Sequence, residues 1–311
     1  MDAQAIIFEK PGKLAIDTVA LTNPGIGDVV VESRFSGIST GTERLLWEGR
    51  MPDFPGMGYP LVPGYETVGE VVEDRSGAYK VGQLVFVPGS SAYSDVRGLF
   101  GGTASRLVVQ SERVSPVEFC RPQEGTLLAL AATAHHALVG RGVLPELVIG
   151  NGVLGQLIAR MIVALGGKSP TIWEKNPIRR ASSGEFKVID PSEHKDVTYQ
   201  AVIDVSGDST IVDALAPVLK RGGEITLAGF YSDRINFSFP PVFMKEAQIR
   251  VAAEWQPSDL AAVQELLAKQ KMHLENLISH ERSAEDAEVA YKTAFGDPQC
   301  LKMVLDWEGR A

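Results

Sequence analysis

Short apolar runs punctuated by glycine dominate the first third of the chain: Ala5 to Phe8, Leu14 to Val19, Val29 to Phe35, Val68 to Val72, Leu84 to Val87 and Leu107 to Val109. Runs of that length and spacing predict a compact antiparallel β unit ending near Val117. The stretch 49–60 interrupts them, because its glycines and prolines forbid a regular element. Its Met51, Phe54, Met57 and Tyr59 supply apolar surface, so it reads as a covered connection or, as favoured here, a lid over an apolar ligand. A helical patch from Glu124 to Leu138 follows. Strand-like runs then recur at Val148, Ile172, Val188, Val202 to Val205, Ile225 to Leu227 and Ile249 to Ala252, with helical spacing between them. Such alternation predicts an α/β unit, a parallel sheet with helices on both faces. Ser258 is placed to cap a helix carrying Leu260, Val263, Leu266 and Leu267. The tail is expected to hold a helix around Ala284 to Phe295 and a last run Leu301 to Leu305, with no internal repeat or low-complexity tract anywhere.

The most informative local pattern is Leu147-Val148-Ile149-Gly150-Asn151-Gly152-Val153-Leu154-Gly155, a strand breaking through Gly-x-Gly-x-x-Gly into a helix. Gly150 permits the tight turn, Gly152 lets backbone approach a pyrophosphate, and Gly155 lets helix and strand pack closely. The unpaired N–H groups of the first helical turn then face an anion. Leu154, Leu157, Ile158, Met161, Ile162 and Leu165 continue the helix, and Gly166-Gly167 closes it. The next strand, Thr171-Ile172-Trp173, ends at Glu174, 24 positions after Gly150, where a dinucleotide fold places the acid that takes the adenosine ribose hydroxyls. A carboxylate there repels a 2′-phosphate and points to NAD, with Lys175 beside it as the opposing signal. Ser206, Gly229 and Phe230 follow later strands, at the ends where open α/β sheets bind ligands.

Composition narrows the classes without choosing among them. The 311 residues are 44% hydrophobic and 22% charged, with a net charge of -9 and scattered basic residues, which gives no nucleic-acid or anionic-membrane surface. The N-terminus has no basic segment before an apolar run and no stretch is long enough to be a transmembrane segment, so a cytoplasmic protein is expected. Only Cys120 and Cys300 are present, too few for a disulfide scaffold.

Further motifs carry a resemblance over nearly the whole length. Gly37-Ile38-Ser39-Thr40-Gly41-Thr42-Glu43, Pro63-Gly64-Tyr65-Glu66, Val81-Gly82-Gln83-Leu84-Val85, Thr133-Ala134-His135-His136-Ala137-Leu138 and Leu277-Ile278-Ser279-His280 resemble segments of the medium-chain dehydrogenase/reductase family. The resemblance implies a GroES-like catalytic β domain made from residues 1–123 and 275–311, with a doubly wound Rossmann NAD-binding domain of 124–274 inserted. It also implies that Thr133, Val153, Leu154 and Lys175 lie beside the cofactor. The segments Ser36 to Arg44 and Trp47 to Pro52 resemble the branch of that family that oxidises the 3-(1-hydroxyethyl) group of bacteriochlorophyllide a to 3-acetyl with NAD, in bacteriochlorophyll biosynthesis. The partner so implied is that small molecule; a homo-oligomer is left open.

The departures from the family pattern bear on the chemistry. A zinc alcohol dehydrogenase uses the metal to lower the pKa of the bound alcohol. Here Ser39 or Thr40 and Tyr65 replace two expected ligands, the third falls among Leu128 to Ala131, and the four-cysteine lobe is missing. The expectation is therefore no metal. A rebuilt site from Glu66, His135 and His136 is set aside because neighbouring helix histidines point in different directions. Without metal, the family placement makes Thr42 or Thr40, Tyr65 and His135 the available proton-handling groups, with Tyr65 holding the substrate oxygen and a Thr42-to-His135 relay ending on the imidazole. The plainer alternatives are a satisfied helix histidine, a space-filling tyrosine and, for Glu66, a buried carboxylate orienting its loop. Thr40, Met51, Phe54, Met57 and Tyr59 are the substrate-side candidates. The competing functions are a zinc-independent quinone or enoyl reductase, which Glu174 disfavours, and a non-catalytic NAD-binding redox sensor.

Overall fold

The computed structural model describes residues 1–52, 55–140, 142–181 and 185–308. The chain divides into two compact units, Met1–Ala129 with Leu274–Ala311, and Leu130–His273.

In the first unit the apolar runs form two sheets. One has the order Lys13–Ala20, Asp2–Lys10, Leu61–Val62, Arg97–Gly98. The other runs His280–Ser283, Met303–Asp306, Asp28–Ile38, Thr67–Asp74, Leu84–Val87, Ser115–Pro116, with Arg106–Gln110 also paired to Asp28–Ile38. The antiparallel expectation needs one correction, because two pairs are parallel: Leu61–Val62 with Arg97–Gly98, and His280–Ser283 with Met303–Asp306. Parallel neighbours require a long crossover, which the helix Ala287–Gly296 provides for the second pair. That helix packs Ala290, Tyr291 and Ala294 into a cluster with Ile6, Phe8, Ile38, Leu46, Met303 and Trp307, so both chain ends share one core.

The second unit is a six-stranded parallel sheet in the order Lys187–Ile189, Thr171–Trp173, Leu147–Ile149, Tyr199–Asp204, Leu219–Leu227, Gln248–Val251. Numbered along the unit this is 3-2-1-4-5-6, and the order reverses at Leu147–Ile149, where a doubly wound sheet binds its ligand. The helix Val153–Ala164 ends as the glycine pair predicts: Gly166 N–H bonds Val163 O, Gly167 N–H bonds Ile162 O, and Gly166 has φ +87. Another cap differs from expectation. The helix Pro257–Ala268 has Gln256 as N-cap, and Ser258 lies inside it. Pro257 takes the first helical position, where its missing N–H costs nothing, and Asp259 reaches back to the Gln256 N–H at 2.8 Å. The patch 124–138 is a 3₁₀ helix, Pro122–Leu127, running into an α-helix, Leu128–Leu138. Among the described residues no helix is long and apolar enough to cross a membrane.

Candidate functional site

The glycine loop of the second unit has the shape its spacing predicts. Gly150 has φ +103, a conformation glycine adopts freely, and its N–H bonds Trp173 O at 2.8 Å. A Cβ on Gly155 would sit 1.9 Å from Gly150 O, so only glycine lets the helix approach the turn. A Cβ on Gly152 would meet nothing within 4 Å, which leaves open space in front of the helix N-terminus. Val153 is buried behind that opening, and Leu154 is half-buried. Glu174 lies against the same loop: its carboxylate accepts Asn151 N–H at 3.0 Å and Asn176 N–H at 2.8 Å. Lys175 is exposed and its Nζ lies 3.5 Å from Asp208 Oδ2, so its charge already has a carboxylate beside it. Asn151 is buried, and its Oδ1 has no partner among the described residues.

Across the sheet's switch point, buried Asp204 accepts from Ser206 Oγ at 2.7 Å, Ser206 N–H at 3.2 Å and the Tyr231 hydroxyl. Burial pushes the Asp204 carboxyl up, and those donors pull it back. Gly229 N–H bonds Asp204 O at 3.1 Å, so one carboxylate-bearing turn fixes both the Ser206 and Gly229 loops; Phe230 beyond them is exposed. A helix N-terminus with open space, a glycine turn, the Glu174 carboxylate beside it and a buried amide oxygen unpartnered among the described residues together fit a dinucleotide.

The first unit gathers most of the remaining candidates into a polar cluster. The short helix Thr42–Glu48 starts after Gly41 and directs Glu43 inward, where it is 1% exposed. Glu43 accepts Ser39 N–H at 2.9 Å and the Tyr291 hydroxyl at 2.6 Å. Ser39 Oγ lies 2.7 Å from Tyr65 Oη, and the phenol also bonds Thr42. Tyr65 stacks edge-on against Phe100 at 5.4 Å between ring centroids. Next to it, Glu66 is fully buried and bonded to the equally buried Lys302, whose Nζ also donates to Ile38 O at 3.0 Å. Gly37 leaves the room for this pair, since a Cβ there would lie 2.5 Å from Glu66 Oε2.

Burial pushes the Tyr65 phenol above its ordinary range, with Glu66 adding to the shift. It raises Glu66 too, against the pull of Lys302. Glu43 is pushed from 4.5 to about 7, again by burial first, offset by the Tyr291 and Ser39 hydrogen bonds. A carboxyl raised on folding stabilises the fold at low pH and loses that contribution as pH rises through the folded value. Glu43→Gln should therefore flatten the pH dependence of the melting temperature between about pH 4.5 and 7 relative to the wild type, as thermal melts across that window would show. Identical slopes would mean that Glu43 titrates normally.

The helix histidines require a correction. His135 and His136 do not point apart: His135 Nδ1 lies 2.7 Å from Asp259 Oδ1, and His136 Nδ1 lies 2.9 Å from Asp259 Oδ2. Adjacent helical positions are 100° apart, but a carboxylate seated between them with its two oxygens spread reaches both rings. Thr133 is half-buried on the same helix. His135 belongs to the second unit, and Thr42, Tyr65 and Glu66 to the first.

Of the substrate-side candidates, Phe54 lies outside the described residues. Met51, Met57 and Tyr59 are partly buried against the Leu46 and Tyr291 cluster, and the Tyr59 hydroxyl donates to Leu46 O. Thr40 is half-buried before the Thr42–Glu48 helix. The residues that sequence reasoning did not assign are Lys302, Tyr291 and Asp259, together with the inward role of Glu43. Two of them carried a signal: Glu43, an acid inside a family-like motif, and Asp259, an acid in the first turn of a helix whose cap was assigned to Ser258.

A catalytic zinc does not fit this donor set. Zinc takes thiolate, imidazole or carboxylate. At the ligand positions stand Ser39 and Tyr65, neutral hydroxyls bonded to each other, and Glu66 is engaged by Lys302. Among the described residues no three His, Cys, Asp or Glu side chains group as a metal site.

Comparison with known proteins places these features in a family. Residues 25–119 match the alcohol dehydrogenase GroES-like domain. The chain is 48% identical over 318 residues, 100% of each sequence, to the 2-desacetyl-2-hydroxyethyl bacteriochlorophyllide A dehydrogenase of Cereibacter sphaeroides. It is 48% identical over 311 residues, 99% of each, to the enzyme of the same name from Rhodobacter capsulatus. Among solved structures, an alcohol dehydrogenase of Escherichia coli CFT073 complexed with NADH shares the fold with a TM-score of 0.83 at 21% identity, covering 98% of this chain and 99% of that one.

Proposed function

The chain belongs to the family of the 2-desacetyl-2-hydroxyethyl bacteriochlorophyllide A dehydrogenases, within the medium-chain dehydrogenase/reductase superfamily, and from that premise we propose that it oxidises the 3-(1-hydroxyethyl) group of bacteriochlorophyllide a to 3-acetyl, using NAD and no catalytic zinc. The observation that carries this reading is similarity at 48% identity over the whole chain, which covers the cofactor loop and the polar cluster together.

The Gly150–Gly155 loop and Glu174 would hold the dinucleotide, which would supply the hydride acceptor for oxidation of the carbinol carbon. The protein's share is to hold the alcohol oxygen and take its proton. In the first unit, the Tyr65 and Ser39 hydroxyls are paired at 2.7 Å, and Tyr65 keeps its proton through the neutral range. Tyr65 therefore donates a hydrogen bond to the oxygen as negative charge develops on it and does not serve as the base. In the second unit, His135 is the proton acceptor, since imidazole alone among the candidates ordinarily titrates near neutrality. A secondary alcohol next to a conjugated ring releases hydride readily because the ring shares the developing positive charge, so these modest groups suffice. Met51, Met57 and Tyr59 pack in part against the first unit's own core, so it is the portions they leave exposed that are offered to a flat macrocycle.

The direct test is NADH formation by purified protein with the hydroxyethyl bacteriochlorophyllide, against simple alcohols and quinones. Turnover of a quinone in preference to the macrocycle would overturn the reading. For the cofactor, binding titrations should show NAD held at least tenfold more tightly than NADP, and Glu174→Ala should narrow that gap; equal affinities in the unaltered protein would refute the NAD assignment. Metal analysis should find far less than one zinc per chain, with turnover unaffected by chelators, whereas a stoichiometric metal that activity follows would rule out the zinc-free reading.

A further inference from the structure

Asp259 lies 124 residues beyond His135, in the capping turn of the Pro257–Ala268 helix, and serves three partners. Its Oδ1 meets His135 Nδ1 at 2.7 Å, and its Oδ2 meets both His136 Nδ1 at 2.9 Å and Gln256 N–H at 2.8 Å. The carboxylate is 3% exposed and His135 9%, so water competes little for these bonds. The Gln256 N–H and the two imidazoles hold the Asp259 carboxyl below its ordinary range, against the opposing effect of burial. An ionised carboxylate only accepts hydrogen bonds. Each imidazole must then present Nδ1–H to it, and Nε2 is the ring nitrogen left with a lone pair.

We propose that Asp259 is a positioning residue that fixes His135 and His136 as their Nδ1–H tautomers and so makes Nε2 of His135 the nitrogen that takes the alcohol's proton. This deepens the reading of His135 as proton acceptor and rests on it. A carboxylate bonded to one imidazole nitrogen selects the tautomer, orients the ring and stabilises the imidazolium formed when the other nitrogen is protonated. The second histidine makes the arrangement unusual. Because Oδ2 is shared between His136 and the helix cap, the carboxylate cannot rotate toward one ring without giving up another bond. The capping bond to Gln256 anchors it from the Pro257–Ala268 helix, while the Leu128–Leu138 helix supplies both rings. The sheet brings a charged pair to the end of the histidine helix: Arg250 donates to Ala137 O and lies 3.5 Å from Glu224 Oε1. Arg250 is thus beside Glu224, and among the described residues Asp259 is the acid bonded to both rings.

The test uses the full-length protein with ¹⁵N-labelled histidine. In the wild type at alkaline pH, the two ring signals assigned through His135→Gln and His136→Gln should show Nδ1 protonated. Asp259→Asn retains an oxygen for Gln256 N–H but offers an amide N–H₂ to a ring, so at least His135 should convert to the Nε2–H tautomer. The kcat/KM for the alcohol should fall by about 10²–10⁴-fold, the acidic limb of the pH profile should move or vanish, and NADH affinity should stay within a few-fold. Asp259→Glu, which keeps an ionised acceptor, should preserve the Nδ1–H tautomer and recover part of kcat; it also serves if the asparagine variant folds poorly. A His135 that remains Nδ1–H in Asp259→Asn, or a tautomer change with activity and pH profile intact, would overturn the proposal. Full activity of His135→Ala would instead remove the proton-acceptor reading, and the tautomer measurement would still decide whether Asp259 sets the rings.

Discussion

Lys302→Met is expected to destabilise the protein by about 3–5 kcal/mol at neutral to alkaline pH, the cost of leaving a buried carboxylate without its partner. Lys302 and Glu66 are 1% and 0% exposed, and Lys302 is the cation bonded to the Glu66 carboxylate. The effect carries a sign in pH. With Lys302 intact, burial already raises Glu66; without the cation its folded pKa rises further. A raised acid loses its stabilising contribution as pH climbs through the folded value, so the variant should be least impaired near pH 5 and most impaired near pH 8. Denaturant unfolding at both pH values gives the measurement. Adding Glu66→Gln should restore much of the loss, since the double variant buries no unpaired charge. A single variant that unfolds like the wild type at pH 8 would show that the pair is not a buried ion pair in solution.

Tyr65→Phe should lower kcat/KM for the macrocyclic alcohol by about 10²–10³-fold, the scale for removing one donor to a developing oxyanion. Phenylalanine keeps the edge-on packing against Phe100, so the change isolates the hydroxyl. Ser39→Ala removes the partner at 2.7 Å and should cost less, because Thr42 still bonds the phenol. NAD binding should be unaffected in both variants, as isothermal titration can check. Should Tyr65→Phe retain full activity, the alcohol oxygen is held by another group even if the overall reaction is as proposed.

The contrast between what the sequence revealed and what it concealed follows sequence separation. The glycine loop, its flanking strand and helix, the Gly166-Gly167 cap and Glu174 all lie within a few tens of residues, where turn chemistry and helical periodicity are expressed locally. Glu66 and Tyr65 were visible because they sit in one motif. Their partners were not: Lys302 is 236 residues from Glu66, and Tyr291 is 248 from Glu43. A lone lysine inside the run Leu301 to Leu305 reads as a solvent-facing strand position until the fold brings it against a buried acid. Asp259 was concealed for a second reason, since its signal was absorbed into a capping argument that chose Ser258; Pro257 had already fixed the helix start one residue earlier. The parallel pair at the chain end was equally illegible, because strand direction depends on the crossover and not on the alternation of apolar residues.

The strand Met303–Asp306 has a consequence for the order in which the protein matures on the ribosome. Along one edge of Asp28–Ile38, residues 28–32 pair with Arg106–Gln110, but residues 35–38 pair only with Met303–Asp306. Every strand of the inserted sheet emerges between residues 147 and 251, so that unit can close while the far end of the first is still unmade. Until then the nascent first unit carries an open apolar strand edge and a Glu66 with no counter-ion, the kind of surface that recruits chaperones or self-associates. Arrival of Lys302 and of Met303–Asp306 therefore closes that edge of Asp28–Ile38, pairs the buried charge and brings Trp307 to Ser36.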